Sequence, residues 1–201
     1  MIAVVDSGVG NLRSVVKALA AVGADVTLTA DSQTILSAQK VVLPGVGAFA
    51  DTMDGLRDRN LIPIIHEIYQ RRTSLLGICV GMQVLFDASE EMGHHEGLGF
   101  LPGMVRRFNG ENTKVPQTGW NQIEPQKESL LLQGIEPGSY VYFNHSYYCD
   151  LVETADSLTL TQYGSPYTSA VQRNTLYGVQ FHPEKSQQIG LALLRNFVEL
   201  C

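Results

Sequence analysis

The sequence predicts an α/β fold: a mostly parallel central sheet flanked by helices, with an antiparallel, strand-rich second half. Three observations predict it. Up to about residue 90, short apolar runs alternate with stretches of helical period, the order expected of a parallel sheet with crossover helices. From near residue 97 the helical period is absent, and β-like segments follow one another with Gly and Pro turns between them. The period returns only at 187–200, where Ile189, Leu191, Leu193, Leu194, Phe197 and Val198 line one helix face.

Taken in order, residues 2–5 are a β-type run ended by Asp6-Ser7-Gly8-Val9-Gly10. Residues 11–22 place Leu12, Val15, Val16, Leu19 and Ala20 at helical spacing. Residues 25–29 are a second strand, and Asp31-Ser32 caps a short helix ending near Ala38. Residues 40–43 form the third strand, stopped by Pro44-Gly45-Val46-Gly47. Residues 51–59 and 61–72 read as helices, 74–78 as the fourth strand and 80–88 as the helix after it. Residues 99–108, 114–124, 139–149, 157–162 and 168–172 are β-like. With no internal repeat, low-complexity run or Pro/Ser linker, residues 1–201 read as one domain whose halves share a core.

Composition narrows the function classes. Hydrophobic residues make up 44% and charged residues 17%, which excludes a disordered chain. Fourteen Lys and Arg against twenty Asp and Glu give a net charge of −6, so non-specific nucleic-acid binding is not expected. No apolar run approaches the roughly 18 residues of a membrane span, and the N-terminus lacks a signal-peptide pattern. Three cysteines without C-x-x-C spacing suit neither a disulfide framework nor a zinc ribbon. The expected setting is cytoplasmic, with neither a metal nor a cofactor.

Two motifs carry chemistry. Gly77-Ile78-Cys79-Val80-Gly81 is G-x-C-x-G between an apolar strand and a predicted helix, the setting of a nucleophile elbow with Cys in place of Ser. The helix N-terminus would favour a thiolate there; the plainer reading is a buried structural thiol among packing glycines. Phe181-His182-Pro183-Glu184 is the second. Pro183 pushes His182 into an extended conformation, in which residues i and i+2 share a side. Glu184 could then fix the His182 tautomer and leave the other nitrogen as a base. Together the motifs make a Cys-His-Glu triad in chain order nucleophile, base, orienter.

Other features are weaker. Pro44-Gly45-Val46-Gly47 lies at a strand's carboxyl end, where open α/β sheets bind ligands, and its backbone N–H groups could join that of Val80 in an oxyanion hole. Gly8-Val9-Gly10 begins a dinucleotide fingerprint, but Arg13 occupies the place of the third glycine. His145 is a rival base or a pocket residue. His66 lies on a predicted helix, and His94-His95 fall in a polar, Gly-rich segment.

In this order, Pro44–Gly47, Gly77–Gly81 and His182–Glu184 resemble the class I, triad-type glutamine amidotransferases. Within that class, Pro44-Gly45-Val46-Gly47-Ala48-Phe49, Gly77 to Gln83, Gly119-Trp120-Asn121, Tyr142-Phe143, His145-Ser146-Tyr147 and Gly178 to Ser186 are similar to the glutaminase subunits of imidazole glycerol phosphate synthase. The resemblance implies hydrolysis of glutamine to glutamate and ammonia, with Cys79 as nucleophile, His182 as base and acid, and Glu184 as orienter. It implies an oxyanion region at Gly45, Val46, Gly47 and Val80, and glutamine held by Gln83, Glu91, His145, Ser146 and Tyr147. It also implies a heterodimer with a (β/α)₈-barrel cyclase that receives the ammonia in histidine biosynthesis, docked on a face including Asn11, Trp120, Tyr142 and Lys185.

The chain departs from the family pattern at Gln117-Thr118, where His-Met is usual, and at Asn144, where an apolar residue is usual. Neither departure touches the triad; the expected effect of Gln117 and Thr118 is on the partner face near Trp120, not on hydrolysis. The competing readings are a glutaminase subunit of another pathway, a stand-alone Cys hydrolase, and an inactive interaction module.

Overall fold

The computed structural model describes residues 1–9, 12–109 and 113–201. Strand β1 (Ile2–Val5) is buried along its whole length. Helix α1 (Leu12–Ala21) turns Leu12, Val15, Ala18 and Leu19 inward, one face at helical spacing. Strand β2 (Val26–Thr29) precedes α2 (Ser32–Leu36), where the Asp31 carboxylate accepts from the Thr34 N–H at 2.8 Å, an ordinary N-cap. Strand β3 (Lys40–Gly45) leads into α3 (Phe49–Asp58) and α4 (Ile62–Gln70). Strand β4 (Ser74–Cys79), buried throughout, runs directly into α5 (Val80–Gln83).

The second half is nearly all strand: β5 (Phe86–Ser89), β6 (His95–Glu96), β7 (Leu101–Arg107), β8 (Gln117–Pro125), β9 (Ser139–His145) and β10 (Tyr147–Leu151). Then come β11 (Ser157–Tyr163), β12 (Ser165–Arg173), β13 (Leu176–Val179) and the closing helix α6 (Gln187–Glu199). The main sheet has the order β2-β1-β3-β4-β13-β12-β10-β7-β5-β6. Its first five strands are parallel, as the alternating first half requires. Strand β13 pairs with β4 although nearly a hundred residues separate them, which brings the two sequence motifs to adjacent strand ends. Buried side chains from Ile2 to Phe197 form one hydrophobic cluster that includes both halves. No helix among the described residues is long and apolar enough to cross a membrane.

Two expectations are corrected. The helix expected over 80–88 ends at Gln83, and Phe86–Ser89 is a strand paired in parallel with β7. Val84, Leu85 and Phe86 are all fully buried, and periodicity cannot separate helix from strand in a run that is buried on every side. The strand expected over 139–149 breaks at Ser146. Strand β9 pairs with β8, whereas β10 joins β7 and β12 in the main sheet.

Candidate active site

Cys79 ends β4 with φ 54° and ψ −112°, a conformation that a side chain-bearing residue adopts only when its surroundings enforce it. The enforcement is close backbone packing. A Cβ at Gly81 would lie 1.8 Å from the Leu43 carbonyl oxygen, so the turn after Cys79 packs against β3 without room for a methyl group. The four-residue α5 is too short to act as the helix dipole expected behind the sulfur. What it offers is the Val80 N–H at the turn itself.

His182 is extended, with φ −100° and ψ 95°, as the following proline requires. Its Nδ1 lies 2.9 Å from Glu184 Oε1, and both side chains are 3% exposed. The pair forms through the short 3₁₀ turn Pro183–Lys185 and not along an extended strand. Burial works against a charge on this ring. Hydrogen bonds and charges from Cys79 and Glu184 outweigh burial and raise its pKa from 6.5 to about 9. The imidazole and the carboxylate are thus hydrogen-bonded, and the sulfur faces the same cavity as the imidazole.

The cavity has a volume of about 420 Å³ and is lined by Val46, Gly47, Cys79, Val80, Gln83 and Glu91, and by His145, Ser146, Tyr147, His182 and Lys185. All the residues expected to hold glutamine are there, together with Pro116 and Asn144, which sequence reasoning gave no role. Gly45 and Glu184 stand behind the wall: Gly45 pairs with Cys79 across β3 and β4, and Glu184 reaches the cavity only through His182. Glu91 Oε2 accepts from the Phe49 N–H at 2.7 Å, which anchors the start of α3 just after the Val46-Gly47 loop.

His145 Nδ1 lies 2.7 Å from the Tyr147 carbonyl, so this nitrogen carries the proton. Burial, and to a smaller extent the neighbouring His182, lower the His145 pKa to about 4, against the raising effect of the Tyr147 carbonyl. The other nitrogen, Nε2, lies 3.2 Å from the Tyr167 hydroxyl, so both ring nitrogens are engaged within the protein and His145 sits as a residue of the pocket wall rather than as a free base.

Trp120 and Tyr142 lie outside the cavity, directly opposite each other on β8 and β9 with ring centroids 6.0 Å apart. Lys185 joins the two regions: it lines the cavity, and its Nζ is 5.6 Å from the Tyr142 ring centroid. Asn11 lies outside the described residues. The Tyr142 backbone is bonded to the histidine segment. The His182 N–H donates to the Tyr142 carbonyl at 2.9 Å. The Tyr142 N–H donates to Ser186 Oγ at 2.9 Å, and that hydroxyl donates to the His182 carbonyl at 2.7 Å.

Gln117 is buried and accepts from the Tyr167 hydroxyl at 2.9 Å; it faces the His145 side of β8 and not the outer face. Thr118 is exposed and donates to Asn144 Oδ1 at 3.1 Å, so two of the departures from the family pattern are a cross-strand pair. Gln180 was missed as a site residue. Its Nε2 lies 3.7 Å from Cys79 Sγ, and its place two residues before His182 was the available signal.

A family model described as glutamine amidotransferase class-I matches residues 3–201, and the chain belongs to that family. The curated relatives narrow the placement. The chain is 44% identical over 200 residues to the imidazole glycerol phosphate synthase subunit HisH of Chlorobium luteolum, covering 99% of this chain and 100% of that protein. It is 49% identical over 201 residues to the imidazole glycerol phosphate synthase subunit HisH of Chloroflexus aurantiacus, covering 98% and 95%. Within the class, the chain therefore falls with the HisH subunits. A crystal structure of a glutamine amidotransferase shares the fold, with a TM-score of 0.78 at 17% identity over 98% of this chain and 97% of that one.

Proposed function

We propose that this chain, acting as one domain over residues 1–201 in the cytoplasm, is the glutaminase subunit of an imidazole glycerol phosphate synthase. It hydrolyses glutamine and passes the ammonia to a (β/α)₈-barrel cyclase partner in histidine biosynthesis. The observation that carries the reading is that Cys79 and the Glu184-bonded His182 face one cavity lined by the expected glutamine residues.

The chemistry follows from the geometry. Cys79 sulfur attacks the side-chain amide carbon. The oxyanion takes N–H groups from Val80 and from the Val46-Gly47 loop; losing one such donor typically costs about 2.7–4 kcal/mol. His182, whose pKa of about 9 keeps it protonated at neutral pH, gives its proton to the departing ammonia. The same nitrogen then takes a proton from the water that releases glutamate. Glu184 holds the ring and stabilises its charge.

Ammonia released into bulk water would be protonated and lost as a nucleophile, which favours hydrolysis only when a partner is docked. Gly47 supplies a means. Its φ is +101° and a Cβ there would meet nothing within 4 Å, so this peptide has room to reorient between states that do and do not aim N–H groups at the oxyanion. The docking face comprises Trp120, Tyr142 and Lys185.

The test is glutamate release at fixed glutamine, titrated with a cyclase subunit, with and without the cyclase's substrate. A low rate alone, raised severalfold or more by the loaded partner, is expected. Full activity alone, unchanged by any cyclase, sinks the coupling. No hydrolysis under any condition sinks the glutaminase reading itself.

A further inference from the structure

We infer that Gln180 is a catalytic residue of this site, its side-chain amide donating to the Cys79 sulfur and tying that sulfur through Gln83 to the wall of the cavity. The inference rests on the glutaminase reading for the identity of the reaction.

Gln180 is fully buried, and its backbone N–H donates to the Ser169 carbonyl at 2.8 Å, which fixes where the side chain starts. The orientation of two amides then follows from one carbonyl. The Tyr147 carbonyl can only accept, and Gln83 Nε2 lies 3.0 Å from it, so the NH₂ end of Gln83 must point that way. The same NH₂ group lies 3.1 Å from the Gln180 amide. Two NH₂ groups do not face each other, so Gln180 presents its oxygen to Gln83 and its own NH₂ to Cys79 Sγ, at 3.7 Å. The Gln83 NH₂ spends one hydrogen on the Tyr147 carbonyl and the other on Gln180, so the run toward the sulfur is Gln83 donating to Gln180 and Gln180 donating to Cys79. In this buried setting the Gln83–Gln180 bond polarises the Gln180–Cys79 bond.

A donor on the sulfur acts where charge leaves and returns. In the first step the sulfur electron pair forms the C–S bond and the Gln180 contact weakens. In the second step water oxygen bonds the acyl carbon and its proton goes to His182. The C–S bond breaks, and its electron pair returns to a sulfur on which Gln180 already has an N–H in place. Gln180 thus stabilises both the attacking and the departing thiolate, and Gln83 makes that donor sensitive to the cavity wall.

The experiment compares wild type with Gln180→Met, which keeps the length and loses the N–H. The readouts are alkylation of Cys79 by iodoacetamide at pH 7 and kcat and KM for glutamine with the cyclase present. The expected result is a fall of about threefold to tenfold in alkylation and in kcat, with KM held within about twofold; tenfold corresponds to about 1.4 kcal/mol. Wild-type alkylation and kcat in a folded Gln180→Met protein overturn the inference. A second measurement needs no Gln180 variant. The ¹⁵N side-chain amide resonance of Gln180 should move between wild type and Cys79→Ala, and an unchanged resonance overturns the inference equally. Wild-type protein that alkylates in a Gln180-dependent way yet releases no glutamate refutes the glutaminase reading and leaves the contact standing.

Discussion

Gly81→Ala tests whether backbone contact alone sets the Cys79 geometry. The added methyl carbon would lie 1.8 Å from the Leu43 carbonyl oxygen and 2.8 Å from the Leu43 carbonyl carbon. Both atoms are backbone, so no side chain can swing away. Relief requires β3 and the turn after β4 to separate by more than about 1 Å, against a hydrogen-bonded parallel pairing that includes Leu43 with Gly77 and Gly45 with Cys79. Overpacking of this kind costs about 1–3 kcal/mol, and a rigid carbonyl places it at the upper end. In a chain of this length each kcal/mol lowers Tm by roughly 2–4 °C, so the expected loss is about 6–12 °C. The same displacement moves the sulfur by a comparable distance, which lowers hydrolysis about 100-fold. Circular-dichroism melting and glutamate release measure the two effects. Gly47→Ala is the comparison: it meets nothing within 4 Å and carries only the strain of φ +101°, about 1–2 kcal/mol, so its Tm should fall less. A Gly81→Ala protein with wild-type Tm and turnover would refute the argument.

Cys79→Ser should abolish hydrolysis, while Cys149→Ser and Cys201→Ser should leave it near wild type; a glutamine-analogue electrophile should label Cys79 alone by mass spectrometry, and label mainly on Cys149 contradicts this. His182→Ala should remove activity and Glu184→Gln should lower it less, because orientation weakens while the base remains; an active His182→Ala enzyme with a dead His145→Ala one reverses the assignment. Stability should peak near pH 6.5. His145 titrates at about 4 when folded and near 6.5 when unfolded, so the unfolded chain binds the extra proton between those values and stability falls on acidification, by up to about 3 kcal/mol at pH 4. His182 titrates at about 9 when folded, so the folded chain holds the extra proton and stability declines as pH rises from 6.5 to 9. Tm measured across pH checks both limbs, and a Tm that climbs steadily from 6.5 to 9 rules out the His182 assignment.

The parts of the fold and site legible in the sequence are those set by local sterics. G-x-C-x-G announces a backbone turn too tight for side chains, and Cys79 has the positive φ such a turn needs. Pro183 constrains His182 directly, and Asp31 caps α2 as its position suggests. What escaped depends on partners distant in the chain. Phe86–Ser89 is a strand because β7 lies beside it, and nothing in Val84-Leu85-Phe86 itself reveals that neighbour. The break at Ser146 exists because β9 and β10 leave for different pairings, and it puts Ser146 on the cavity wall. Gln180 meets Cys79 only after β13 has docked on β4. Gln117 was expected to disturb the outer face and instead turns inward to Tyr167, because alternation along β8 gives that position to the core.

The bonding of Tyr142 to both sides of the His182 peptide has an evolutionary consequence. A docking surface and a reaction centre that share no backbone bonds can change through separate sets of mutations. Here a single strand residue presents an aromatic ring toward Trp120 and Lys185 and receives the His182 N–H on its own carbonyl. A substitution that shifts this strand to suit a new neighbour also shifts the base, and a shift that detunes the base also spoils the surface. With the docking face and the base assigned as proposed, the two traits are coupled, and sequence change at this face is confined to substitutions that leave the Tyr142 backbone where it is.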